Sequence, residues 1–283
     1  MASFFRNIEP SLCFTMIEIG ARSIEETGQE VFYSLNNQFP GSRLIGFEVD
    51  KVLCEEMNRE TGDAFHYYAQ PIGGVNGEVD FYETVHPMCA SLLEPNHAFI
   101  EKYNDLDVMR LQTISKVNTQ TLDSFVEDNN IGQIDFIKID VQGAELDIFK
   151  NSESVLQSVA LIVTEVEFVP IYTDQPLFGD VNDFLSQKGF MFHKFLSLQG
   201  RALKPTIYQN NAAFPSTIMW ADAVFTPNIF ELDKHSKNKL LKTAVLAHLY
   251  GSLDVSYHML KVFDDAAGSE YADQYAFLCN KGP

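Results

Sequence analysis

Two acidic residues end apolar, strand-like segments near the start of the chain. Glu18 precedes Gly20 and Ala21, and Glu48 closes the segment RLIGFE. A glycine just after a strand allows a sharp turn and lets a ligand approach the backbone. A carboxylate at the next strand end can accept hydrogen bonds from both hydroxyls of a ribose. The pattern predicts a nucleotide-like ligand, although a chance strand and turn would give the same pattern. Asp50 is the alternative acceptor for the ribose hydroxyls, but it is better placed to cap a helix.

A third acidic strand end lies in the segment FIKIDVQGAEL. Asp140 follows an apolar strand, Gly143 permits a tight turn, and Glu145 opens a helix, where its charge suits the helix dipole. Ligands of open α/β sheets bind outside the carboxyl ends of the strands. Asp140 and Gln142 are therefore predicted to face the same crevice as the first two strand ends. The alternative is that Asp140 only caps the helix.

Strand-like and helix-like segments alternate along the chain, which predicts an α/β fold with a mostly parallel sheet and helices on both faces. The last two strands have no crossover helix between them, so this Rossmann-like sheet is expected to have an antiparallel terminal strand. The predicted strands are residues 14–19, 43–48, 65–69, 79–83, 135–140, 160–168, 190–198 and 219–226. The predicted helices are residues 25–38, 50–58, 121–129, 144–150, 181–188, 237–249 and 253–263.

The last two predicted helices suggest a boundary near residue 230. Residues 1–230 would form the α/β domain, and residues 231–283 would form a C-terminal helical extension. Apolar residues recur along one face of the first of these helices, so we expect a helical hairpin packed on the core. The alternative interpretation is a lid or the surface of a homodimer.

Composition and charge exclude several classes of function. The 283 residues carry a net charge of −19, which would repel the phosphates of a nucleic acid. No apolar run reaches the roughly 18 residues of a membrane span, and the N-terminus lacks the apolar region of a signal peptide. We expect a cytoplasmic protein that binds neither nucleic acid nor membrane. The cysteines, Cys13, Cys54, Cys89 and Cys279, form no C-x-x-C pair, which disfavours a zinc site.

The motifs around Asp140 resemble those of the FkbM family of methyltransferases. The resemblance rests on KIDVQGAE, on TLDSF before it and TEVEFVPIY after it, and it extends to IEIGA, GFEVD, SLLEP and WADAVF. These motifs stand in the family's order. The resemblance implies a class I methyltransferase fold, S-adenosylmethionine as the methyl donor, and O-methylation. Ile24 departs from the glycine-rich turn that is usual in the family.

The candidate cofactor-binding residues follow from these motifs. The carboxylate of Glu18 would lie near the methionine ammonium group, and Glu48 would hold the ribose. The full set is Glu18, Gly20, Ala21, Glu48, Val49, Ile72, Ser91, Asp140 and Gln142. Because Gly20 would have to allow close approach of the ligand, Gly20→Val is expected to abolish binding while the protein still folds.

Methyl transfer is an in-line displacement in which alignment supplies much of the rate and a base helps a neutral alcohol to attack. The candidate bases are Asp140, Glu165 and His86, although His86 is more typical of a loop histidine. Glu165 and Glu167 share one face of their strand, and Glu165 lies nearer in depth to Asp140. We expect Asp140 to act on the acceptor hydroxyl. A divalent metal held by Asp140 and Glu165 is the alternative, but metal-free catalysis is favoured because no dense acidic ligand motif occurs.

The acceptor is expected to be a hydroxyl on a saccharide or another small metabolite, and the polar segment 199–218 is expected to line its pocket. Two other functions stay open. An NAD-dependent oxidoreductase shares the glycine turn and the ribose carboxylate, but the antiparallel strand and KIDVQGAE disfavour it. A non-catalytic adenosine-binding module would need only the cofactor-binding residues and no catalytic base.

Overall fold

The computed structural model describes residues 1–21 and 31–280 of the chain. The strands are β1 (Thr15–Ile19), β2 (Arg43–Phe47), β3 (Phe65–Tyr68), β4 (Gly77–Thr84), β5 (Leu111–Thr119), β6 (Phe136–Ile139), β7 (Leu161–Glu167), β8 (Phe190–Phe195), β9 (Gln199–Arg201) and β10 (Thr217–Pro227). The central sheet has eight strands in the spatial order β3-β2-β1-β6-β7-β10-β8, with the short β9 paired to β10. Strands β4 and β5 form a separate two-stranded sheet.

The sheet confirms the predicted α/β fold with mostly parallel strands and an antiparallel last strand. Strands β3, β2, β1, β6 and β7 pair in parallel, whereas β10 is antiparallel to both β7 and β8. The last strand in the chain lies inside the sheet rather than at its edge. Its residues Ala221, Ala223 and Phe225 are fully buried, which suits a strand with neighbours on both sides.

Helices join the strands and cover both faces of the sheet. Asp50 accepts hydrogen bonds from the backbone N–H groups of Val52 and Leu53, which confirms it as a helix cap. Within the described residues, no helix is both long and apolar enough to cross a membrane. The helices are α1 (Ala2–Ile8), α2 (Ser34–Gln38), α3 (Lys51–Glu60), α4 (His97–Ile100), α5 (Leu122–Asp128), α6 (Glu145–Lys150), α7 (Glu153–Leu156), α8 (Phe178–Gln187), α9 (Lys237–Leu249), α10 (Leu253–Ala267) and α11 (Tyr271–Asn280).

The alternation of side chains along each strand divides the core between the two faces of the sheet. On one face, Met16 and Phe136 belong to the same hydrophobic cluster as buried residues of α9, α10 and α11. On the other face, Ile17 and Ile137 pack with buried residues of α5, α6 and α8. The C-terminal helices thus pack on the core, as expected of the predicted hairpin, and α11 adds a helix that was not predicted.

Strand β5 differs from the sequence predictions, and one predicted helix lies partly outside the described residues. Strand β5 was not predicted, because its exposed residues lack the alternation of apolar and polar side chains that marks a half-buried strand. Its partner β4 contains the predicted strand 79–83. Positions 25–30 of the predicted helix 25–38 lie outside the described residues, and so does Ile24. Its last five positions form α2.

Candidate active site

The carboxyl ends of the parallel strands β1, β2 and β6 open into a cavity of about 560 Å³, which we call the strand-end cavity. Most of the predicted cofactor-binding residues line it. These are Gly20, Glu48, Val49, Ile72, Ser91, Asp140 and Gln142. Apolar side chains of Val52, Leu53, Phe81 and Leu92 complete part of its wall. The structure therefore brings these predicted residues together around one space, and their binding role stays a prediction.

Glu18 and Ala21 lie beneath this cavity and do not line it. The carboxylate of Glu18 is 6% exposed and accepts hydrogen bonds from the Tyr33 hydroxyl at 2.8 and 3.1 Å. Burial, with the charge of Glu18, raises the pKa of Tyr33, so its hydroxyl stays a hydrogen-bond donor. Ala21 is fully buried, and its backbone N–H donates to the Phe47 carbonyl at 2.9 Å. The hydrogen bond of Ala21 joins the turn after β1 to the end of β2.

The end of the neighbouring strand β6 leaves no room for a side chain at Gly20. Its φ is +80°, and a Cβ built on it would lie 2.0 Å from the backbone oxygen of Asp140. The expectation that Gly20→Val leaves a folded protein therefore has no support in the structure. Close approach of β1 and β6, and not only of a ligand, requires glycine here, because the two strands are paired in the sheet.

We expect Gly20→Ala to destabilise the protein by about 1–3 kcal/mol more than Gly132→Ala, the usual scale of forced overpacking. Gly132 has a φ of +82° but nothing within 4 Å of its Cβ position, so it controls for backbone conformation alone. The measurement is the free energy of unfolding in urea. Equal losses in the two variants would show that the carbonyl of Asp140 moves aside without cost.

Glu48 is held in place by the chain that follows it. Its Oε1 accepts hydrogen bonds from the backbone N–H groups of Val49 at 2.8 Å and Asp50 at 2.9 Å. The side chain lines the strand-end cavity just beyond β2. Asp50 Oδ1 is used in the same way to cap α3, and Asp50 also lines the cavity. The preference for Glu48 over Asp50 therefore rests on its place directly after the end of β2.

A second cavity of about 300 Å³ adjoins the first, and we call it the Trp220 cavity. It shares His86, Met88 and Gln142 with the strand-end cavity. Polar and charged side chains contribute much of its wall, which suits a hydroxylated ligand. The other lining residues are Cys89, Asp105, Leu106, Val108, Met109, Glu165, Glu167, Ile171, Tyr172, Arg201 and Trp220.

Buried carboxyl groups surround the junction of the two cavities. Glu145 is 2% exposed and accepts from the backbone N–H groups of Val141 at 2.8 Å and Gly143 at 3.3 Å. Burial is the main cause that raises the pKa of Glu145 to about 7. Burial likewise raises the pKa values of Glu165 and Glu167 well above 4.5, and the charge of Asp140 adds to both shifts.

Lys138 lies among these carboxyl groups and partly balances them. Its ammonium group is 2.9 Å from the Asp222 carboxylate and 3.9 Å from that of Asp140. Burial lowers its pKa, but the two carboxylates outweigh burial, so the net pKa of Lys138 is raised. The side chain is therefore a fixed positive charge near the site. Among the described residues, no group of three or more His, Cys, Asp or Glu side chains is arranged to hold a metal ion.

His86 lies on the surface turn that borders both cavities. Its Nδ1 accepts a hydrogen bond from the backbone N–H of Met88 at 3.3 Å and so caps a short 3-10 turn (Pro87–Cys89). Asp140 lines the strand-end cavity, whereas Glu165 lines the Trp220 cavity. Of the three candidate bases, Glu165 is therefore the one that borders the second cavity alone.

Tyr172, Arg201 and Trp220 are among the residues of the Trp220 cavity that were not predicted as site residues. The Arg201 guanidinium lies 5.0 Å from the Trp220 ring centre, and its Nε is 3.4 Å from the Asp105 carboxylate. Tyr172 donates its hydroxyl proton to the Cys89 carbonyl at 2.8 Å. Tyr172 and Trp220 stand in the motifs TEVEFVPIY and WADAVF, which was the available signal. Arg201 belongs to the segment 199–218 that was expected to line an acceptor pocket.

Comparisons with known proteins agree with the motifs. Residues 18–192 match the methyltransferase FkbM domain. The chain is similar to the 2-O-methyltransferase NoeI of Sinorhizobium fredii, with 26% identity over 144 residues that cover 49% of this chain and 57% of NoeI. The match therefore spans little more than half of NoeI.

Two solved structures are similar at low score. One is the StiE O-MT structure, with a TM-score of 0.38, 10% identity, and coverage of 89% of this chain and 77% of that chain. The other is the 23S rRNA methyltransferase ErmE, with a TM-score of 0.36, 10% identity, and coverage of 93% and 95%. These scores support no conclusion about activity. The family match covers most of the chain, and the chain belongs to the FkbM methyltransferase family.

Proposed function

We propose that this chain uses S-adenosylmethionine to methylate a hydroxyl group on a saccharide or another small metabolite. The observation that carries the proposal is the pair of adjoining cavities with Gln142 on the wall of both. A methyltransferase must bring two molecules together so that the methyl group of one meets the oxygen of the other. The strand-end cavity would hold the donor, and the Trp220 cavity would hold the acceptor.

The size and the lining of the strand-end cavity support its assignment to the cofactor. Its volume of about 560 Å³ is within the usual range for ligand sites. Glu48 would accept from the ribose hydroxyls, and the apolar side chains of Val49, Ile72 and Phe81 would contact the adenine ring. The methionine end would lie toward Gly20 and Asp140, where β1 and β6 end. The bound donor supplies an electrophilic methyl group.

The Trp220 cavity supplies a base to the acceptor. A neutral alcohol is a weak nucleophile, so its proton must leave as the carbon–oxygen bond forms. We assign this proton to the carboxylate of Glu165, whose raised pKa brings its basicity closer to neutral pH. Transfer of the methyl group would leave the electron pair of the broken sulfur–carbon bond on the sulfur of the donor. Asp140, on the donor side, would help to align the methyl group.

The choice of a sugar hydroxyl rests on the chemistry of the second cavity and on one relative. Glu165, Glu167 and Asp105 can accept hydrogen bonds from several hydroxyl groups, and the partly buried Trp220 offers an apolar surface. The volume of about 300 Å³ suits a small acceptor. NoeI carries the name of a 2-O-methyltransferase, which favours oxygen as the acceptor atom.

The decisive experiment measures ligand binding and then turnover. Titration calorimetry should detect S-adenosylmethionine and S-adenosylhomocysteine, and mass spectrometry of the natively purified protein should find one of them rather than a nicotinamide nucleotide. Incubation with a panel of sugars and hydroxylated metabolites should then add one methyl group to an oxygen. A bound nicotinamide nucleotide would support an oxidoreductase instead. Cofactor binding without turnover on any acceptor would favour an adenosine-binding module.

We expect Glu48→Ala to weaken S-adenosylmethionine binding by about 1.5–3 kcal/mol for each charged hydrogen bond lost. The loss should be much smaller for a 2′-deoxyribose analogue of the cofactor, which lacks one of the hydroxyls. Calorimetry with both ligands measures this difference. Asp50→Asn keeps the helix cap but removes the charge, so it provides the comparison. A larger loss in Asp50→Asn than in Glu48→Ala would assign the ribose to Asp50.

A further inference from the structure

Gln142 occupies the boundary between the strand-end cavity and the Trp220 cavity. Its Nε2 donates hydrogen bonds to Asp140 Oδ1 at 2.8 Å and to Glu165 Oε2 at 2.7 Å. The two carboxylates belong to different strand ends and border different cavities. One amide group therefore links the carboxylate on the donor side to the carboxylate on the acceptor side.

Further contacts fix the orientation of this amide. The Tyr172 hydroxyl, which donates its single proton to the Cys89 carbonyl at 2.8 Å, lies 3.3 Å from Gln142 Oε1. The Ser91 hydroxyl donates to the backbone carbonyl of Gln142 at 2.8 Å. The nitrogen of the amide must face the two carboxylates, because only the nitrogen can donate to them.

The backbone of Gln142 adopts a conformation that glutamine rarely takes. Its φ is +60°, in the left-handed region that is disfavoured for residues other than glycine, asparagine and aspartate. Such conformations persist where the surrounding contacts demand them, and they cluster at functional sites. A glycine at this position would relieve the backbone but could not reach the two carboxylates.

We infer that Gln142 is a positioning residue whose amide holds Asp140 and Glu165 in fixed relation, so that donor and acceptor are aligned across the boundary of the two cavities. This inference rests on the proposed function. Hydrogen bonds to a carboxylate favour its ionised form, so the amide also opposes the rise in the pKa of Glu165 that burial causes. The other titratable groups around the pair are Lys138, Glu145, Glu167, Tyr172 and Asp222.

The test compares two ligands that differ in one charge and needs no acceptor. S-adenosylmethionine has a positive sulfonium, which ionised carboxylates attract, whereas S-adenosylhomocysteine has a neutral sulfur. The ratio of their affinities should therefore rise with pH as Glu165 ionises, and effects on the amino-acid part that both ligands share should largely cancel. In Gln142→Leu the midpoint of this rise should move upward by about one pH unit or more, a tenfold change in the protonation equilibrium.

Two further variants separate the amide from the backbone. Gln142→Asn suits the left-handed backbone better but is one methylene shorter, so it should show the same upward shift as Gln142→Leu. Gln209→Leu is the matched control, because Gln209 also has a positive φ of +50° and is exposed outside both cavities. Its midpoint should equal that of the unmodified protein.

The outcomes distinguish the inference from the proposed function. If the unmodified protein binds both ligands but the midpoint is unchanged in Gln142→Leu and Gln142→Asn, the positioning role is wrong and the proposed function stands. Equal weakening of both ligands in both variants, with no shift of the midpoint, would also overturn it and indicate a purely structural role. If the unmodified protein binds neither ligand, the proposed function fails and the inference fails with it.

Discussion

Replacing Glu165 by glutamine should lower kcat for methyl transfer by about 10²-fold or more, the usual contribution of a general base. Glutamine keeps the size of the side chain but cannot take a proton. Burial, together with the charge of Asp140, raises the pKa of Glu165 well above 4.5. A base must be ionised to work, so kcat/KM of the unmodified enzyme should fall as the pH drops through this raised pKa. The assay follows transfer of a labelled methyl group to the identified acceptor across that pH range.

Companion variants show whether the proton goes to Glu165 or to Asp140. Glu78→Gln changes an exposed glutamate of β4 and should keep normal turnover. Asp140→Asn, which alters the donor side of the boundary, tests the role in base catalysis expected from the sequence. If Asp140→Asn loses more than Glu165→Gln while donor affinity is unchanged, Asp140 is the base. Retained turnover in Glu165→Gln with an unaltered pH profile would remove Glu165 from the reaction.

Replacing Lys138 by methionine should lower the free energy of unfolding by about 1–3 kcal/mol at neutral pH, between the scales for exposed and fully buried ion pairs, because the Asp222 side chain is 35% exposed. Methionine fills similar space but removes the ammonium group that pairs with the Asp222 carboxylate. Lys138 is 8% exposed and lies 2.9 Å from Asp222. The matched control is Lys116→Met, which removes an exposed pair of 2.8 Å with Asp80 and should cost less than about 1 kcal/mol.

The loss of folding stability caused by Lys138→Met should become smaller as the pH falls. Without the ammonium group, the buried carboxyl groups bind protons more tightly in the folded protein than in the unfolded chain. Stability of the variant therefore decreases as pH rises through the interval between the unfolded and folded pKa values, and it recovers below that interval. Urea unfolding at several pH values measures the change. A deficit that is independent of pH would mean that lost packing, and not unpaired charge, destabilises the variant.

The sequence contained much of the information about the fold and the position of the site. Apolar runs that end in Glu48 and Asp140 are local features of the chain, and parallel strands place their carboxyl ends at one edge of a sheet. The crevice at that edge follows from these two facts. The missing crossover helix before β10 likewise predicted its antiparallel direction, whereas its place inside the sheet depended on pairing with strands distant in the chain.

The roles of individual side chains depended on contacts between distant segments. Gly20 is required because a Cβ there would meet the Asp140 carbonyl, 120 residues later in the chain. The separation of Asp140 and Glu165 into two cavities, and the amide of Gln142 that links them, could not be predicted from spacing along the sequence.

Local pattern and three-dimensional proximity thus determined different properties of this protein. The order of apolar, acidic and glycine residues determined the family, the main strands and the edge of the sheet where the strand-end cavity opens, because these depend on neighbours in the chain. Only the tertiary structure decided that Asp140 borders one cavity and Glu165 the other, and that Trp220 and Arg201 line the same cavity as Glu165. Burial and charge also set the raised pKa of Glu165, and both arise from groups that come together only when the sheet is formed.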